Sequence, residues 1–219
     1  NFNVVVGDEA GTAITTGDSN VFVGYQSGDA TTTADSNVGI GRGTLTTNIL
    51  SDHNTAIGNG ALFTHNQGSS TDSYNTAVGS NAGAAVTTGI ENTIVGGRAG
   101  DALTTGQENA VFGQQALSAD TAGNHSTAIG HGALFSQNFS TSTDTNNTAV
   151  GFSAGAAITT GVNNTLLGGF AGDALTDADF NVAIGVVALS TDTLGSKSIA
   201  IGHNTLNSQN FTTATDTHN

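Results

Sequence analysis

The chain contains no cysteine, proline, methionine or tryptophan. Without cysteine there is no disulfide framework, no thiolate nucleophile and no cysteine-ligated zinc. Without proline, nothing removes a backbone donor from a β-ladder. Charge is scarce as well: 9% of the 219 residues are charged, against roughly 25% in ordinary soluble domains. The basic residues are Arg42, Arg98 and Lys197, set against 17 acidic ones, for a net charge of −14. Such a surface repels phosphate backbones, so nucleic acid is not an expected partner. No apolar run is long enough to span a bilayer, and no membrane insertion is expected.

Gly, Ala, Ser, Thr and Asn fill the gap, and that bias alone would suggest a disordered tract. Two features oppose it. Hydrophobic residues make up 36% of the chain, and they recur in register, which disordered tracts do not maintain.

The recurring phrase is Asn, a small or β-branched residue, two more residues and Gly. It opens at Asn3, Asn20, Asn37, Asn54, Asn75, Asn92, Asn109, Ser126, Asn147, Asn164, Asn181 and Ser198, and Asn219 begins another. Successive openers are 17, 17, 17 and 21 residues apart, three times over. The chain is therefore one continuous array, 1–219, of three 72-residue superrepeats at 3–74, 75–146 and 147–218. A 17-residue period is too short for two helices and a turn, and the leucine-rich frame is missing. The expected fold is all-β: a parallel β-solenoid, or β-roll, of twelve coils, each templating the next. At about 4.8 Å per coil the stack would rise by roughly 58 Å.

Numbering each coil from its opener, the fifth position is always glycine: Gly7, Gly24, Gly41, Gly58, Gly79, Gly96, Gly113, Gly130, Gly151, Gly168, Gly185 and Gly202. A bend with positive φ or a close backbone approach explains this column. The opening Asn residues suit a bend too, and their stacked amides predict a hydrogen-bonded ladder. The ninth position reads Gly-Gly-Leu-Leu in every superrepeat, which implies coils stacked in fixed order. The fourth position is always bulky and apolar, and this strictness assigns it to the coil interior. The third position then faces outward. It is also apolar in nearly every coil, so Phe22, Ile94, Val111 and Leu166 are expected to lie on an oligomer face covered by other copies of the chain.

The phrase at Asn54 to Gly58, Asn75 to Gly79 and Asn147 to Gly151 resembles the N-S-V-A-I-G repeat in the heads of trimeric autotransporter adhesins. Similar phrases occur in phage and virus fibre proteins. The resemblance covers the five-residue strand throughout the chain, whereas family coils are shorter and lack the 72-residue superperiod. It implies a left-handed parallel β-roll, a homotrimer, and a place at a cell or virion surface, outside the cell.

The four extra residues fall in each fourth coil, within 67–74, 139–146 and 211–218. A shared Thr-Asp places Asp72, Asp144 and Asp216 at one position, and they are candidate Ca²⁺ ligands. One carboxylate per loop is few for calcium, and local backbone donors offer a competing role. No cofactor is required otherwise. The histidines form no metal-binding or catalytic spacing. Paired threonines such as Thr15-Thr16 are interrupted at Ile49-Leu50, which breaks the flat array that ice binding would need. A catalytic centre is a singular constellation, and evenly repeated chemistry offers no place for one, so no enzymatic activity is expected.

These readings converge on a structural fibre segment assembled by coil stacking, end-to-end stacking and lateral self-association. The alternative is an adhesin or tail-fibre module whose inserted loops contact a host glycan or protein.

Overall fold

The computed structural model describes residues 2–219. Within each coil the residues at positions two to four form a three-residue strand, ended by the glycine at position five. Among the described residues twelve such strands, from Val4–Val6 to Ile199–Ile201, build one continuous sheet in chain order. All pairings in it are parallel and in register, as in Val4 with Val21 and Val21 with Val38. Partners lie 17 residues apart within a superrepeat, and 21 apart where a new one opens, as in Thr55 with Thr76 and Thr127 with Thr148. The chain is a parallel β-solenoid.

The extra residues of the fourth coils make short pairings of their own. Thr71–Asp72 lies parallel to Ser51–Asp52, Thr143–Asp144 to Gly123–Asn124, and Thr215–Asp216 to Gly195–Ser196. Each insertion thus returns to the wall of the preceding coil.

The glycine column is required by stacking. Gly24 has φ +133°, and a Cβ there would lie 2.6 Å from the Gly41 carbonyl oxygen of the next coil. Backbone sits directly on backbone at this corner, and no side chain fits between. A turn follows, closed by hydrogen bonds such as Ala10 N–H to the Gly7 carbonyl.

The strand faces are the reverse of the sequence expectation. Phe22, Ile94, Val111 and Leu166 are fully buried inside the coil, at 0% exposure, so they form no oligomer face. The fourth-position residues point outward: Ile40, Ile57, Phe112 and Ile129 are 36–40% exposed, and Val6 and Ile201 more so. The interior is lined by positions three, eight, nine and twelve. It is so narrow that side chains are balanced across it rather than held constant along it.

Phe22 shows the balance. It is the largest third-position residue, and in its coil the twelfth position is Thr31, where later superrepeats carry Leu103 and Leu175. The neighbouring coil has Gly39 at the third position, where a Cβ would meet Ser27 Oγ at 2.7 Å and the Phe22 ring at 3.0 Å. The Gly-Gly-Leu-Leu column has the same origin. Leu45 and Gly28 both adopt left-handed backbone, with φ 51° and 59°, so conformation does not distinguish them. Space does: a Cβ at Gly28 would lie 2.5 Å from the Phe22 ring. Leucine enters in the third and fourth coils, where the third position is mostly Gly or Ala. A strictly kept apolar column is therefore a mark of the outer face, which has no opposite wall to compensate a change.

Candidate functional site: the fourth coils and the outer sheet face

The Asn column does two jobs in each ordinary coil. Its Nδ2 closes the coil, donating to a carbonyl 14 residues on: Asn92 to Gly106, Asn164 to Ala178, Asn181 to Gly195. Its Oδ1 accepts the opener N–H of the next coil, as from Asn37 to Asn20 at 2.9 Å and from Asn109 to Asn92 at 3.1 Å. Asn3, Asn54, Asn75 and Asn147 accept in the same way from Asn20, Asn75, Asn92 and Asn164. Burial makes these bonds consequential, because an unpaired amide inside the coil has no water to replace its partner.

The fourth coils depart from this pattern. Their openers are Asn54, Ser126 and Ser198, and the insertion displaces the carbonyl an Asn would clamp. In the second superrepeat a buried relay takes over. Gln137 Nε2 donates to Ser126 Oγ at 2.8 Å and to Asp120 Oδ2 at 2.6 Å, while its Oε1 accepts from Asn147 Nδ2 at 2.9 Å. Asp120 Oδ1 accepts the N–H groups of Gly123 and Phe139, at 3.1 and 3.0 Å. The third superrepeat repeats the arrangement with Asp192, Gln209, Ser198, Gly195 and Phe211.

The first superrepeat solves the same problem with other residues. Asn48 stands where Asp120 and Asp192 do, His65 where the glutamines do, and Ser51 where the glycines do. Ser51 Oγ accepts the Gln67 N–H at 2.9 Å, replacing the carboxylate as acceptor for the insertion. A side chain at Gly123 or Gly195 would collide with the carboxylate of Asp120 or Asp192, so serine and aspartate are alternatives. His65 is fully buried with both ring nitrogens unpartnered. Burial lowers its pKa to about 4, against a weaker opposing pull from the Thr87 backbone, which does not reach hydrogen-bond geometry. Sequence reasoning passed over all of these twelfth-position residues. Their signal was a column reading aliphatic, aliphatic, polar, polar in the second and third superrepeats, with Thr31 the exception in the first, which places polar groups at fixed height in the stack.

Asp72, Asp144 and Asp216 share one exposed position but are not brought together, being four coils apart, or roughly 19 Å. Each meets nitrogen donors from the preceding coil. His53 Nδ1 lies 3.1 Å from Asp72, and Asn124 Nδ2 donates to Asp144 at 3.1 Å, with His125 at 3.6 Å. Lys197 pairs with Asp216, and its hydrogen bond lowers that carboxyl's pKa. Among the described residues no three His, Asp or Glu side chains gather as metal ligands would. Calcium needs six or more oxygens, and the donor set around these carboxylates does not fit it.

The outer sheet face offers no chemistry, only area. Along its length the fourth position is Val or Ile except at Phe112 and Leu167, flanked by second-position Val and Thr with Ala110 and Ile199. A lone exposed apolar side chain is ordinary, whereas a row crossing every coil is not. The chain matches no family model, no curated protein and no solved structure.

Proposed function

We propose that the chain is a non-catalytic structural segment of an extracellular or virion-surface fibre. The observation that carries this reading is the apolar row on the outer sheet face. Polar residues belong on a free solenoid face, and the row from Val6 to Ile201 is instead hydrophobic in every coil. Lateral association with other copies would cover it. The parallel register favours copies aligned side by side along the stacking axis, and a left-handed homotrimer is the assembly in keeping with the strand phrase. End-to-end stacking of the same in-register coils would extend it. A second reading, an adhesin or tail-fibre module gripping a host glycan or protein, is favoured by the exposed insertions, whose carboxylates face a histidine in the first two superrepeats and Lys197 in the third.

Cysteine cross-linking tests the proposal cleanly, because the chain has no cysteine of its own. Ile129→Cys on the outer face should give a disulfide-linked species under mild oxidation at micromolar protein. Asp8→Cys, on an exposed corner, should not. Equal, inefficient cross-linking at both positions would refute lateral association through the sheet.

A further inference from the structure

We propose that the corner beside the sheet in the first superrepeat holds a binding site for a carboxylate-bearing sugar ring, a hexuronate or a residue of like chemistry. There the otherwise regular surface opens into a groove of about 420 Å³, within the range of small-ligand sites. It exists because Gly43 and Gly60, successive members of the seventh column, leave out the side chains that Gln26 and Asn81 carry on either side. A Cβ on Gly43 would rest 3.5 Å from the Phe63 ring, and one on Gly60 would sit 2.6 Å from Asn81 Oδ1. At the Gly43 position the later superrepeats have Gln115 and Val187. The array is thus singular at this place.

The lining suits one chemistry. Phe63, half-exposed, supplies an apolar platform for the C–H face of a pyranose ring. Asn59 and Asn81 present amides, and neither side chain makes a hydrogen bond among the described residues, so both can meet vicinal hydroxyls. Gln26 gives its Nε2 to Glu9 at 2.7 Å and keeps its carbonyl oxygen as a further acceptor. Arg42 is the cation of the groove, and Arg98 follows one coil beyond Asn81 in the same column. Among the described residues neither arginine forms an ion pair, whereas Lys197 is bound to Asp216. One of the three cations in a chain of net charge −14, Arg42, therefore lines the groove without an ion pair among the described residues. A single planar guanidinium matches a monoanionic carboxylate. A phosphate dianion would meet one such group against the field of the whole chain.

The groove lies past the glycine turn, not on the outer strand face, and the inference is independent of lateral assembly. It is tested with the ¹⁵N-labelled chain titrated with methyl β-glucuronide, and with methyl β-glucoside as the neutral counterpart, reading the side-chain amide signals of Asn59 and Asn81. A dissociation constant of the order of millimolar is expected for the glucuronide, with the glucoside at least about tenfold weaker. Gly43→Gln imports the residue that the second superrepeat bears at φ 57°, so the fold tolerates it. It should weaken the glucuronide by about tenfold or more. Arg42→Gln imports Gln114 in the same manner and should erase the preference for the glucuronide. Absence of shifts at about 50 mM sugar, equal binding of the two sugars by the unmodified chain, or binding indifferent to Gly43→Gln would each overturn the site.

Discussion

Gln137 donates to the buried carboxylate of Asp120 at 2.6 Å, and 72 residues later Gln209 donates to Asp192 at the same distance. The relay stands where the insertion interrupts the asparagine ladder, and it fastens the inserted loop through the N–H of Phe139 and Phe211. Asp120→Ala would leave the Gly123 and Phe139 N–H groups and the Gln137 amide without their acceptor. Each buried unsatisfied donor costs about 1–3 kcal/mol, so a loss of about 3 kcal/mol or more is expected. Hydrogen exchange at Gly123 and Phe139 should accelerate by about a hundredfold, while Asp8→Ala, at an exposed corner, should leave stability within about 0.5 kcal/mol.

His65 makes the first superrepeat acid-sensitive. Its pKa falls from 6.5 to about 4 on folding because burial disfavours the charged ring. Between those values the unfolded chain binds more protons than the folded one, so stability rises with pH across the window and is lost as pH falls through it. The loss amounts to about 3 kcal/mol once pH 4 is reached. His65→Leu, taking the residue that Leu103 supplies at the same position two coils further on, removes the titrating group. Urea unfolding from pH 7 to 4 should show a shallower decline for the variant, and parallel declines would contradict the assignment.

Glycine at the fifth position is a steric requirement, whereas glycine at the sixth is not. Gly79 has φ +139°, and a Cβ there would lie 2.5 Å from the Gly96 carbonyl oxygen. At Gly97 a Cβ would meet nothing within 4 Å. Gly79→Ala should destabilise by about 3 kcal/mol or prevent folding, and Gly97→Ala should be neutral or stabilise by up to about 1 kcal/mol. Thermal unfolding of the two variants side by side separates the cases.

The coil register was legible because backbone geometry demands particular residues at particular places. Gly at the fifth position allows carbonyl contact and never varies, and Asn at the first clamps a carbonyl and gives way only to Ser126 and Ser198, where the insertion removes that role. The interior was illegible for the opposite reason. Phe22 can stand where Gly39 stands one coil later, since Thr31 and Gly28 make room on the opposite wall. Such compensation runs across the coil, and a column read along the stack looks permissive. The outer face has no opposing wall, so its strict Val, Ile and Phe residues mimicked a core. Asp120 and Asp192 were hidden because aspartate in a turn-rich chain reads as solvated. Their burial becomes visible only when the glutamine and the two N–H groups that satisfy them are placed beside them.

Sedimentation equilibrium of the full chain at micromolar concentration tests lateral assembly most directly. Three times the 21.6 kDa chain mass is expected, falling to the mass of a single chain when Ile57→Glu and Ile129→Glu are introduced together on the outer face. A single-chain mass for the unmodified protein at every concentration, or an oligomer that persists in the double variant, would contradict it.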